Sequence, residues 1–247
     1  MTLEPWQWAL AIFAAFLVGV SKTGIAGLGM LFVVIFTQIM PAKQATGLVL
    51  PLLIFGDIIA VASYWRHAQW RYLVRLVPWA ALGVVAGYFT LGRIDDRQAK
   101  VLIGAIILGL FALYLVRRGR AGGGEREHGW WLAPLIGVLA GFTTLVANAS
   151  GPLMAIYLLA MRLPKMEFVG TGAVYYFVLN FMIKAPFMVH LGLINPASFK
   201  MNLLLAPAVF LGAFIGRKIL IRIDQKLFEG IALWLSAAGG LMLILMK

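Results

Sequence analysis

Residues 6–40, WQWALAIFAAFLVGVSKTGIAGLGMLFVVIFTQIM, form one apolar block broken near its middle by SKTGIAGLG, Ser21 to Gly29. A hydrocarbon core about 30 Å thick takes about 20 helical residues. The block is too long for one span and too short for two full ones. Glycine and small polar residues at mid-block weaken a helix and free backbone groups. Each remaining arm of about 15 residues reaches only about 22 Å. A re-entrant helical hairpin is the expected form, with two short full spans as the alternative. Residues 130–161 repeat the arrangement, broken by TTLVANASGP from Thr143 to Pro152.

The other apolar blocks run 45–65, 72–91, 99–116, 168–193, 197–215 and 227–246. The chain is 62% hydrophobic and 12% charged, against about 45–50% and about 25% in soluble proteins. Barrel strands are short and alternate, so helices are the expected spanning elements. The expected fold is an all-α integral membrane protein of two inverted repeats. Each repeat is a broken or re-entrant hairpin followed by three transmembrane helices. The segment RRGRAGGGEREHG from Arg117 is charged and glycine-rich and divides the chain. The expected organisation is a first repeat at 1–118, a cytoplasmic linker at 119–128 and a second repeat at 129–247.

The repeat is legible in a slide of 123 residues. Pro41 meets Pro164, Gly47 meets Gly170, Asp57 meets Asn180 and His67 meets His190. Further on the offset grows: Gly87 meets Gly212, and Arg93-Ile94-Asp95 meets Arg222-Ile223-Asp224. Loop charges supply the orientation. If each long block enters and returns, one side holds thirteen Lys and Arg and the other six. If each crosses once, the two sides are nearly equal. The positive-inside rule favours the first arrangement. Both termini then face the periplasm, and each half crosses an odd number of times.

The net charge of +12 sits between apolar blocks, where topology and anionic headgroups account for it. No motif for nucleic acid accompanies it, so none is expected as a partner. There are no cysteines, which removes thiolate metal sites and Cys nucleophiles. No G-x-S-x-G, H-E-x-x-H, paired-carboxylate or P-loop pattern occurs. The expectation is therefore no enzyme, no cofactor and no metal.

Ionisable residues at membrane depth need a partner or a water-filled cavity. Lys22 lies in the first break. Lys184 lies inside the sixth block, with Asn180 and Tyr176 on its face. Asp57 lies mid-way along the second block and is the candidate for ion coupling. Two lysines against one aspartate favour an anion. Each has a blander reading: Lys184 pairs with Asp57 to pin two helices, and Lys22 snorkels to the surface. Ser21, Thr23, Gly24, Thr144, Asn148 and Ser150, in the two breaks, either line a site or glue helices together. Broken helices near the midplane of inverted repeats are a recurring plan of secondary transporters, with half-helix N-termini facing anionic groups. His67, His190, Trp6, Trp65, Trp70 and Trp130 sit at block ends and read as interfacial.

GVSKTGIAGLGML from Gly19, followed by Pro41, resembles the first signature of the sulfite exporter (TauE/SafE) family. GFTTLVANASGPLMAIYLLAMRLPKMEFVGTGAVYYFVLNFMIKAPF, Gly141 to Phe187, resembles the second, including Asn180, Lys184 and Pro186. The resemblance covers both halves. It implies a permease in the bacterial cytoplasmic membrane for small sulfur-containing anions such as sulfite or organosulfonates. It fixes neither direction nor substrate. A carboxylate transporter and a non-transporting membrane partner subunit are the alternatives, and a homodimer is left open.

Overall fold

The computed structural model describes residues 4–40, 42–90, 95–120 and 131–245. The repeat positions Pro41 and Arg93-Ile94, and the linker 121–128, lie outside the described residues. Among those described the chain is all-helical, with six helices long and apolar enough to cross a membrane.

The first long block is helix α1 (Pro5–Thr23) and helix α2 (Gly29–Ile39). The second is α6 (Leu132–Ala147) and α7 (Ser150–Ala160). Both breaks fall where glycine and small polar residues predict them. The arms are unequal, however: 19 and 11 residues in the first block, 16 and 11 in the second. Lys22 and Thr23 continue α1, and the Thr23 hydroxyl bonds back to the Gly19 carbonyl at 3.1 Å. At about 1.5 Å per residue, α1 alone is long enough to span and α2 is not. The second break is a single turn, with Asn148 left-handed at φ 53°.

Helices α3 (Ala42–Tyr64), α4 (Trp70–Thr90) and α5 (Asp96–Arg120) complete the first half. In the second half, α8 (Lys165–Phe177) passes through a π-helical segment (Val178–Lys184) into α9 (Ala185–His190). Helices α10 (Pro196–Arg222) and α11 (Gln225–Leu245) follow. Pro186 lies in the first turn of α9, near the end of this long helix. It removes one N–H donor and would clash with an α-helical turn before it. The wider π turn lies immediately upstream of it, and such turns cluster at functional sites.

The halves interlock through small residues. A Cβ at Gly19 of α1 would lie 2.1 Å from the Val209 carbonyl oxygen of α10. A Cβ at Gly141 of α6 would lie 1.9 Å from the Ala80 carbonyl oxygen of α4. The return contacts match: Gly212 abuts Phe16, and Gly83 abuts Val138. Small residues allow this backbone approach in an apolar medium. The matching contacts correct one sequence correspondence. Gly87 answers to Gly216, each packed on the first arm of the opposite half. Pro78 with Pro207 and Gly83 with Gly212 share that spacing, as does Arg93-Ile94-Asp95 with Arg222-Ile223-Asp224.

Helix α3 runs antiparallel to α8 and α9. Gly47 meets Leu193, Asp57 meets Asn180, and Tyr64 meets Gly170. Trp6, Trp65 and Trp70 are exposed at helix ends, as are His67 and His190. Trp130 is outside the described residues.

Candidate anion site at the two helix breaks

The two breaks and the α3–α8 crossing enclose a cavity of about 70 Å³. One water needs about 10–15 Å³ on this measure, so the space suits a solute of a few heavy atoms. Ser21, Lys22, Thr144, Asn148, Ser150, Tyr176 and Asn180 line it. Three expected site residues do not. Thr23 is buried and donates to the Ala213 carbonyl at 2.7 Å, gluing α1 to α10. Gly24 packs against the Gly216 backbone. Lys184 is fully buried behind the wall.

Two helix N-termini reach the cavity. Gly27 precedes α2 and Gly29 opens it; Ser150 and Gly151 open α7. The residues preceding them, Leu28 and Ala149, provide no side-chain cap. The first N–H groups of a helix lack intrahelical acceptors and carry partial positive charge. The remaining wall is apolar, with Phe32, Leu53, Met154 and Phe168. Sequence reasoning missed these apolar residues and Gly151. Of them, Gly151 lies within the quoted break, so its glycine was the available signal.

The charged groups overturn the two blander readings. Lys22 does not snorkel away. Its ammonium lies 2.7 Å from Asp57 Oδ1, and its side chain is 8% exposed. It also sits 4.2 Å from the centre of the Tyr176 ring, on its face. Asp57 is fully buried and receives a hydrogen bond from Asn180 Nδ2 at 2.7 Å. The partner of Asp57 is thus Lys22, and the Lys184–Asp57 pin is not formed. Lys184 instead donates to the Thr144 carbonyl at 2.5 Å and to Asn148 Oδ1. Those acceptors lie at the C-terminal end of α6, where a cation is favoured. The reason is directional. Asn180 points across to α3, while Lys184, one π turn later, points to the α6 end. Asn148 then links back, donating to the Thr46 carbonyl at 3.4 Å.

A family model described as "Sulfite exporter TauE/SafE" matches residues 11–243. The chain belongs to the sulfite exporter TauE/SafE family. Comparison with curated proteins and with solved structures gave no match. Family membership makes this a multi-pass membrane protein of a transporter family associated with sulfur anions, and both helix breaks and the cavity fall within the matched residues.

Proposed function

We propose that this TauE/SafE protein is a secondary transporter of small sulfur-containing anions, sulfite or a short organosulfonate, bound in the cavity between the two breaks. One observation carries the reading. Two uncapped helix N-termini meet in one small cavity beside Lys22, with Lys184 one hydrogen bond behind its wall. Such donors replace part of the hydration an oxyanion loses on entering.

The halves are inverted repeats about an axis near the Asp57–Asn180 contact. The reciprocal glycine contacts and the antiparallel run of α3 against α8 support this. If the block 130–161 crossed the membrane once, α3 and α8 would run parallel. If it enters and returns, they run antiparallel. With the first block entering and returning as well, both termini face one side, the periplasm of a bacterial cytoplasmic membrane, and the Arg-rich linker faces the cytoplasm. The site stands between two halves that can rock around it.

Purified protein in liposomes tests the reading. It should move sulfite, thiosulfate, sulfoacetate or taurine without ATP, and Lys22→Ala should stop that movement while the protein still inserts. Flux restricted to short carboxylates would replace the sulfur-anion reading with a carboxylate one. Absence of any flux would leave a partner-subunit role.

A further inference from the structure

We infer that Asn180 makes this site select an anion that carries its own hydrogen-bond donor beside its charge, a hydroxysulfonate, over an anion that carries none. This deepens the proposed anion site and rests on it.

The polar side chains of the cavity differ in what they have left to offer. The Lys22 ammonium is a donor, and the hydroxyls of Ser21, Thr144, Ser150 and Tyr176 can turn to donate or accept. Asn148 is used at both ends: its Oδ1 accepts from Lys184 and its Nδ2 donates to the Thr46 carbonyl. Asn180 is used at one end. Its Nδ2 donates to Asp57 Oδ2 at 2.7 Å. Its Oδ1 is buried and has no hydrogen-bond partner among the described residues. The side chains of Tyr175 and Asn202 are in the same condition, but neither borders the cavity, whereas Asn180 does.

The amide cannot simply turn over. Lys22 holds Asp57 Oδ1, so Oδ2 remains an acceptor whichever of that pair keeps their shared proton, and only an N–H satisfies it. Asp57 does not border the cavity. The amide nitrogen is therefore directed into the wall, and the oxygen is the end left for the cavity. Lys22 and Asn180 each hold one oxygen of the same carboxylate, which sets ammonium and amide side by side. A sulfonate resting on Lys22 then presents its neighbouring atoms to the amide oxygen. An ether or a further oxyanion oxygen there sets acceptor against acceptor. A methyl group leaves the amide oxygen buried and unpaired. An O–H satisfies it, and sites built around such a bond reject analogues that lack it.

Three monoanions with the same number of heavy atoms test this. Isethionate, 2-hydroxyethanesulfonate, has an O–H donor. Methoxymethanesulfonate has an oxygen that accepts but cannot donate. 1-Propanesulfonate has neither. Binding of each to the purified protein is measured by calorimetry at neutral pH. Isethionate should bind about tenfold or more tighter than either of the others. Asn180→Leu, shown to be folded by thermal unfolding, should bind 1-propanesulfonate and lose the preference; Asn180→Ala is the second variant if leucine does not fold. Equal binding of isethionate and 1-propanesulfonate to the wild-type protein would overturn the inference. So would an ether that matches isethionate, which would mean that the amide presents its N–H end. A preference that survives in a folded Asn180 variant would assign it to another group. Each of these results leaves the anion site standing. Failure of every sulfur anion to bind the wild-type protein would remove the proposed function itself, and this inference with it.

Discussion

Lys22→Met keeps most of the lysine stem and deletes its charge. Asp57, fully buried, is then left with the single Asn180 donor at 2.7 Å. Removing one partner of a buried pair costs about 3–5 kcal/mol. The retained hydrogen bond puts this case at the lower end, about 3 kcal/mol. Asp57→Asn should cost less, since the orphaned ammonium keeps the Tyr176 ring face at 4.2 Å and borders the cavity. The double variant has no orphaned charge and should return to within about 1 kcal/mol of the parent. Coupling from this cycle should exceed about 1.7 kcal/mol, the upper end for ordinary hydrogen bonds between membrane helices. Equilibrium unfolding in mixed micelles measures it, with liposome flux run on the same four proteins. The double variant should be stable and inactive, because its cavity has lost the cation. Coupling below about 0.6 kcal/mol, the average for such hydrogen bonds, would refute the shared ion pair. Full flux in the double variant would refute Lys22 as an anion contact.

Other outcomes follow from the same geometry. Gly151 borders the cavity, and a Cβ there meets nothing within 4 Å; Gly151→Asp should fold normally yet lose anion flux, whereas Gly151→Ala should keep it. At Gly141 a Cβ would lie 1.9 Å from the Ala80 carbonyl oxygen, so Gly141→Ala should destabilise by about 1–3 kcal/mol or more, while Gly109→Ala, with nothing near it, should leave the micellar size-exclusion profile unchanged. Lys184→Ala should abolish transport, and adding Asp57→Ala should not restore it, because Lys184 holds the α6 end rather than Asp57; liposome flux of the two variants decides. Reporters fused after Lys247 and within Gly122–Gly124 should report opposite sides of the membrane, and finding both on one side would contradict the inverted arrangement.

Much of the architecture was written locally. Block length and composition depend only on neighbouring residues and the fixed rise of a helix, so the helices and both breaks were legible before any tertiary contact. The proposed duplication was read on the same ground, as a pattern along one dimension. The cavity wall was partly readable because broken helices concentrate small polar residues: Ser21, Lys22, Thr144, Asn148 and Ser150 came from the breaks alone and do border the cavity.

Only the tertiary structure decided which charge meets which. Helical periodicity gives the face of a residue but not the neighbour opposite it, so the sequence offered Lys184 as a partner for Asp57 and gave no sign of Lys22, which takes that place. The α3–α8 crossing brought Asn180 to Asp57, and the α1 terminus brought Lys22. The turn that carries Lys184 past Asp57 to the α6 end is π-helical, and the acceptors Lys184 meets there are distant in sequence. Thr23 and Gly24 were assigned to the site because they stand in the first break, next to Lys22. At 3.6 residues per turn such neighbours point in different directions, and packing against α10 turned these two away. Sequence fixes composition and period, whereas pairing across helices is set by three-dimensional packing, which no single segment encodes.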